Sequence, residues 1–326
     1  IGGNMSILEK LKNDAERNCY LKRLKFLKQK NIDTSLIDDG INQVTRNLDK
    51  GAKSLVIYGE PQSGKTEFMI ALTCKLVDVG KKTIFVITND NTELEVQNFN
   101  RFKSATQLNP TPMKMQEFLD LPDEDKKAKN QRIIFCRKNK SNLEKLIKEV
   151  RFLEDRVVID DEADYASPNT KINKQELTTI NQLVGELGEL PPNGGGIYIG
   201  VTATPGRLDL NNTFLNDSKD WVFLKSHDTY KGREFFFPFN TSQNTNNFIL
   251  QKLPDTGDDP KPLKEAFLRF LVRVSILNLK DGIKEDPDAY SMLIHTDGKV
   301  NSHIKDMKEV QKHISIIVNQ KQEKIE

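Results

Sequence analysis

Gly59-Glu60-Pro61-Gln62-Ser63-Gly64-Lys65-Thr66 decides how this chain is read. The stretch matches G-x-x-x-x-G-K-[ST], follows the apolar run Leu55-Val56-Ile57-Tyr58, and opens into a helical pattern from Glu67 to Val77. Strand, glycine-bounded loop and helix in that order form the setting a phosphate-binding loop requires. Backbone N–H groups of such a loop converge on an anion, and the helix N-terminus adds partial positive charge. Gly59 and Gly64 permit a tight or positive-φ backbone close to phosphate. Gln62 and Ser63 complete the candidate binding loop. Lys65 is placed to reach the β- and γ-phosphates, and the Thr66 hydroxyl to ligate Mg²⁺. ATP and Mg²⁺ are the expected ligands.

A second constellation lies downstream. Val157-Val158-Ile159-Asp160-Asp161-Glu162-Ala163-Asp164 is an apolar strand that ends in acids. A carboxylate at such a strand end can hold Mg²⁺, and the acid after it can orient an attacking water. Asp161 is the candidate metal ligand and Glu162 the candidate for the water, with Asp160 competing for the metal. Thr202-Ala203-Thr204-Pro205 closes another apolar strand, and its two hydroxyls could reach the acidic cluster from a neighbouring strand end.

Around these motifs strands and helices alternate. Strands are expected near 54–58, 83–88, 132–136, 156–160 and 196–201, and helices near 65–79, 91–104, 141–150 and 174–188. Runs such as Thr83-Ile84-Phe85-Val86-Ile87 are apolar throughout, as in a parallel sheet covered on both faces. The expected fold is α/β: a RecA-like P-loop lobe with a mostly parallel sheet flanked by helices, plus the start of a second lobe. Residues 5–30 read as a basic helix, with eight Lys/Arg against three acids, and a second helix is expected over 38–49. Residues 120–131 read as a polar surface excursion. The expected organisation is a helical segment over 1–50, in which 1–4 look like a tag remnant. The ATPase lobe follows over 51–206 and a connector or insertion over 207–260. A helix and the opening strand (290–295) and helix of a second, truncated lobe fill 261–326.

Composition narrows the function classes. The 49 basic and 47 acidic residues give a net charge of +2, which neither demands nor excludes a nucleic-acid partner. No run of 18 apolar residues is present, so no membrane partner is expected, and a cytoplasmic location is. Cys19, Cys74 and Cys136 are far apart and form no metal-ligand spacing, so they read as reduced core thiols. His227, His295, His303 and His313 are scattered.

The ordered set GEPQSGKT, DEAD at 161–164 and TAT at 202–204 resembles the superfamily II helicase-like ATPases. QSGKT at 62–66, IDDEADYAS from Ile159 to Ser167, TATP at 202–205, YKGREFFF at 230–237 and MLIH at 292–295 more specifically resemble the bacterial "Z-one" endonuclease-domain group. The resemblance covers roughly 50–300. It implies that Lys65 and Thr66 bind phosphates and Mg²⁺, and that Asp161 and Glu162 handle metal and water. It further implies that Asp164, Thr202 and Thr204 couple nucleotide state to nucleic-acid grip. Thr88-Asn89-Asp90 and the helix holding Arg101 fall where the family faces nucleic acid. An arginine finger would come from a second lobe outside this chain.

The function expected on this basis is an ATP-hydrolysing first motor lobe acting on nucleic acid, DNA first, in defence or repair, with possible protein partners there. Taken alone, it would be a poor hydrolase. Two alternatives stand beside it: a nucleotide-gated protein-interaction switch that moves along nothing, and a nuclease-associated domain. No nuclease pattern accompanies the latter. Gln43 is the upstream glutamine available to read an adenine.

Overall fold

A computed structural model describes residues 18–165, 179–192, 194–206, 214, 217–227, 230–232, 259–280, 289–294 and 300–322. They fall into two compact units divided after Pro238.

Unit one is built on a seven-stranded sheet. Its strands are β1 (Ser54–Tyr58), β2 (Thr83–Thr88), β3 (Met113–Lys114), β4 (Arg132–Arg137), β5 (Arg156–Asp161), β6 (Ile197–Thr202) and β7 (Val222–Phe223). The order is β3-β4-β2-β5-β6-β1-β7, and every pairing is parallel. Helices α1 (Cys19–Gln29) and α2 (Ser35–Asp49) precede the first strand; the crossovers that parallel strands need carry α3 (Lys65–Asp78), α4 (Thr92–Ser104), α5 (Met115–Leu119), α6 (Asp123–Lys127), α7 (Lys140–Val150) and α8 (Thr179–Gly188).

The pleat explains why the strands read as apolar throughout. Ile84, Val86, Ile133, Phe135, Val157 and Ile159 point into a core shared with α1 to α4. Phe85, Ile87, Ile134, Cys136 and Val158 point the other way, against α5, α7 and α8. Both faces are covered, so the strand centres are apolar in both registers, and the buried polar residues sit near strand ends (Ser54, Thr83, Thr88, Arg132, Arg156, Asp160 and Thr202). This is the architecture of a RecA-like lobe. All three cysteines are free and buried, and burial pushes the Cys136 thiol up to about 12.

The five strands and most helices read from the sequence form at or within a few residues of their expected bounds, though residues 174–178 of the last expected helix lie outside the described set. Three features differ. The stretch 113–127 contains a two-residue edge strand and two short helices where a polar excursion was expected in part. Val222–Phe223, read as part of a connector, pairs with Ile57–Tyr58 and extends the sheet. The first helical segment joins the lobe: Cys19 and Tyr20 donate backbone N–H bonds of 2.9 Å to the Asp78 carboxylate, and Arg23 donates two bonds of 2.7 Å to Glu67. The basic tract before Asn18 lies outside the described residues.

Unit two contains helices α9 (Lys261–Lys280) and α10 (Val300–Gln322), which touch one another. Residues 290–294 are described and carry no strand, so the βα opening expected there is not formed over them. A parallel strand needs a neighbour to satisfy its backbone, and none is present among the described residues of this unit. His295 and the aromatic run at 233–237 lie outside the described residues.

Candidate nucleotide site

The strand register sets the site. Tyr58 pairs with Thr202, and Asp161 with Val201, so the C-terminal ends of β1, β6 and β5 stand level along one edge. Ligands of open parallel sheets bind at that edge. The phosphate-loop strand and the acidic strand therefore share one sheet, separated by a single strand.

The loop leaves β1 with Gly59 N–H donating to Thr202 O at 3.1 Å. A side chain at Gly59 would press within 3.0 Å of Leu224 O and Ser63 Oγ. Gly64 has φ of +91°, the left-handed region that glycine takes without strain, and caps α3. Ser63 Oγ is buried and has no hydrogen-bond partner among the described residues. A loop with an orphaned hydroxyl and free N-terminal amides of a helix suits an anionic ligand. Lys65 Nζ folds back on the loop, donating to Gly59 O at 3.2 Å and Glu60 O at 2.7 Å. Burial lowers its pKa, against the opposing pull of Asp161, Glu162 and Asp164. The ammonium and the acidic cluster line the same cleft.

The acids divide by environment. Asp160 is fully buried, pairs with Lys138 at 2.9 Å and accepts a 2.8 Å bond from the Tyr198 hydroxyl. The Lys138 ammonium also donates to Glu162 O at 2.8 Å and Tyr165 O at 2.9 Å. The structure therefore removes Asp160 from the contest for the metal: its lone pairs are engaged inside the fold. Asp161 faces the cleft, accepting from Asn98 Nδ2 at 2.9 Å and from Glu162 N at 3.1 Å. Glu162 accepts from Asn89 Nδ2 at 2.8 Å and holds φ of +50°, a strained value for a residue with a Cβ. Asp164 takes hydroxyl bonds of 2.5 Å from both Thr202 and Thr204, which ties the acidic loop to the exit of β6.

Gln62, Gly64, Lys65, Thr66, Asp161, Glu162, Asp164, Thr202 and Thr204 all line one cleft of 1210 Å³. Gly59 and Ser63 are not in that lining, but both belong to the loop above it. Two further contributors, Asn98 and Arg101, come from α4. Arg101 donates a long bond of 3.4 Å to Thr66 Oγ1. The resemblance placed Arg101 toward nucleic acid, and sequence did not single out Asn98 or Lys138; Asn98 stands among polar residues at helical spacing, which look like a solvated face. Gln43 lies elsewhere, in a surface recess with Asp39, Asn42, Thr45 and Arg46.

Asp161 carries a stability cost. Burial first, then the Glu162 charge, pushes its pKa up to about 6. Unfolded, an Asp titrates near 3.9, so the folded chain holds the proton more tightly. Ionised Asp161 therefore destabilises the fold fully above about pH 6, and the cost vanishes below about pH 4. Asp161→Asn is expected to raise stability by about 2–3 kcal/mol at pH 8 in EDTA, with no gain near pH 4. Thermal melts across that range check the sign.

Residues 34–207 match the family described as "Type III restriction enzyme, res subunit". No curated protein matches the chain. Among solved structures it is similar to the Hef helicase domain of Pyrococcus furiosus, at 15% identity and a TM-score of 0.38, over 87% of this chain and 55% of that one. It is also similar to the genome-packaging NTPase B204 of Sulfolobus turreted icosahedral virus 2, solved with ATP-γS, at 18% identity and a TM-score of 0.28, over 47% of this chain and 64% of that one. The chain thus spans about half to two thirds of the length of these two structures.

Proposed function

The chain belongs to the type III restriction enzyme res-subunit family, and from that premise we propose that its cleft is the ATP–Mg²⁺ site of a motor lobe that acts on nucleic acid, DNA in the first place. One observation carries the proposal: the phosphate loop and the acidic strand end, nearly a hundred residues apart in sequence, line the same cleft at one edge of one sheet. The finer kinship to the "Z-one" group, and a place in bacterial defence or repair with protein partners there, belong to the same proposal. A cytoplasmic location also belongs to it; no described helix is long and apolar enough to cross a membrane.

The residues take the following roles. The loop amides of 59–66 and the amino end of α3 hold the triphosphate, with Gln62 and Ser63 at its side. Lys65 exchanges its two carbonyl partners for phosphate oxygens. Thr66 Oγ1 and Asp161 are the protein ligands for Mg²⁺, which needs only one or two protein oxygens beside phosphate and water. When bound, the metal neutralises charge on the transferred phosphoryl group. Glu162 orients the attacking water and accepts its proton. Asp164, clamped to Thr202 and Thr204, passes any shift of the acidic loop to β6. A 350 Å³ recess beside the loop, where Ile32, Leu36, Ile37 and Leu224 sit among Asp33, Glu67 and Lys225, offers a mixed apolar and polar wall for the base.

The test is the steady-state ATPase rate of the purified protein, with and without single- and double-stranded DNA and RNA. Stimulation by one of them, salt-sensitive as phosphate contacts require, supports the motor. Tight nucleotide binding with a rate indifferent to all four favours the nucleotide-gated switch instead. Metal-dependent DNA cleavage that survives Lys65→Ala would point to the nuclease reading.

A further inference from the structure

Each group assigned above to metal or water is held by a side chain, and these side chains come from one segment, 89–101. Asn89 donates to Glu162 at 2.8 Å, Asn98 to Asp161 at 2.9 Å and Arg101 to Thr66 Oγ1 at 3.4 Å. Asn89 follows the end of β2. Asn98 and Arg101 are neighbours at i, i+3 on α4. Between and beside them, Phe99 and Phe102 anchor the opposite face of the helix, with their rings 5.3 Å and 4.9 Å from Phe135. Both phenylalanines are buried, so the helix backbone is fixed to the core while its cleft face is free to change partners.

We propose that Asn98 and Arg101 compete with Mg²⁺ for its ligands: they hold the two oxygen-bearing groups that the metal would take, and they are displaced when metal and nucleotide bind together. The inference rests on the nucleotide site proposed above. A guanidinium and a divalent cation repel one another and cannot share the Thr66–Asp161 corner. Arg101 has no ion-pair partner among the described residues, so no carboxylate restrains it from leaving. It lines the cleft. The cleft face of α4 thereby reports whether metal is bound, and Asn89 extends the report to the water-orienting acid. Asn98 and Arg101 act here as positioning residues.

The experiment titrates a fluorescent ATP analogue into the full chain, once in EDTA and once in saturating Mg²⁺. The readout is the Kd in EDTA divided by the Kd in Mg²⁺, and no turnover is needed. Asn98→Ala removes one competing hydrogen bond, so the ratio rises about fivefold. Arg101→Gln raises it as well, because the cation at the metal position is gone. An unchanged or smaller ratio in either variant overturns the inference. If a melt shows that Asn98→Ala has unfolded, Asn98→Ser serves in its place under the same criterion. Wild-type protein that binds no analogue in either condition overturns the site reading and this inference together. Wild-type binding with unmoved ratios overturns this inference alone.

Discussion

Lys138→Met is expected to destabilise the fold by about 3–5 kcal/mol, the usual result of stranding a buried charge. Lys138 and Asp160 both have fully buried side chains, 2.9 Å apart. Without the ammonium, Asp160 keeps the bond from the Tyr198 hydroxyl but loses its cation, and either ionises beside no ammonium or takes up a proton. The carbonyls of Glu162 and Tyr165 each lose the ammonium bond at the same time, though Glu162 O still accepts from Tyr165 N–H at 2.9 Å. Urea unfolding of the variant checks the figure; a loss under about 1 kcal/mol would contradict the burial argument. The double variant Lys138→Met with Asp160→Leu separates the two effects. Replacing both charges should recover much of the stability. It should not recover hydrolysis, because the turn that holds Glu162 still lacks its anchor.

Glu162→Gln is expected to lower the hydrolysis rate by about 10²–10⁴-fold, the range for loss of a positioned general base. Nucleotide affinity should stay within a few-fold, because the amide retains the acceptor that meets Asn89. The strained backbone at this residue, φ of +50°, fits a side chain held for a task. Single-turnover kinetics beside equilibrium binding separate the two quantities. Unaltered turnover in the variant would remove Glu162 from the chemistry, leaving the acidic turn a structural clamp.

Much of the lobe was legible because its physics is local. Continuous apolar runs between turn signals mark strands buried on both faces, and the crossover helices follow from parallel pairing. Gly64 and Lys65 announce themselves because only glycine takes φ of +91° freely there and because a lysine right after it opens a helix. What stayed hidden depends on contacts between distant segments. Val222 and Phe223 are too few to show a period, yet they find a partner in β1. Lys138 looks like any basic residue after a strand until β5 places Asp160 beside it. Choosing between Asp160 and Asp161 needed the pleat: consecutive residues point to opposite faces, and only one of those faces is the cleft. Asn98 was indistinguishable from its polar neighbours because its bond to Asp161 depends on which side of α4 faces the cleft.

The most direct measurement is a crystal structure of the protein grown with Mn²⁺ and a non-hydrolysable ATP analogue, read by the anomalous signal of the metal. The account predicts a triphosphate wrapped by residues 59–66, with the manganese peak between the Thr66 hydroxyl and the Asp161 carboxylate and Asn98 turned away. A triphosphate bound away from that loop, or a metal peak remote from Asp161, would contradict it.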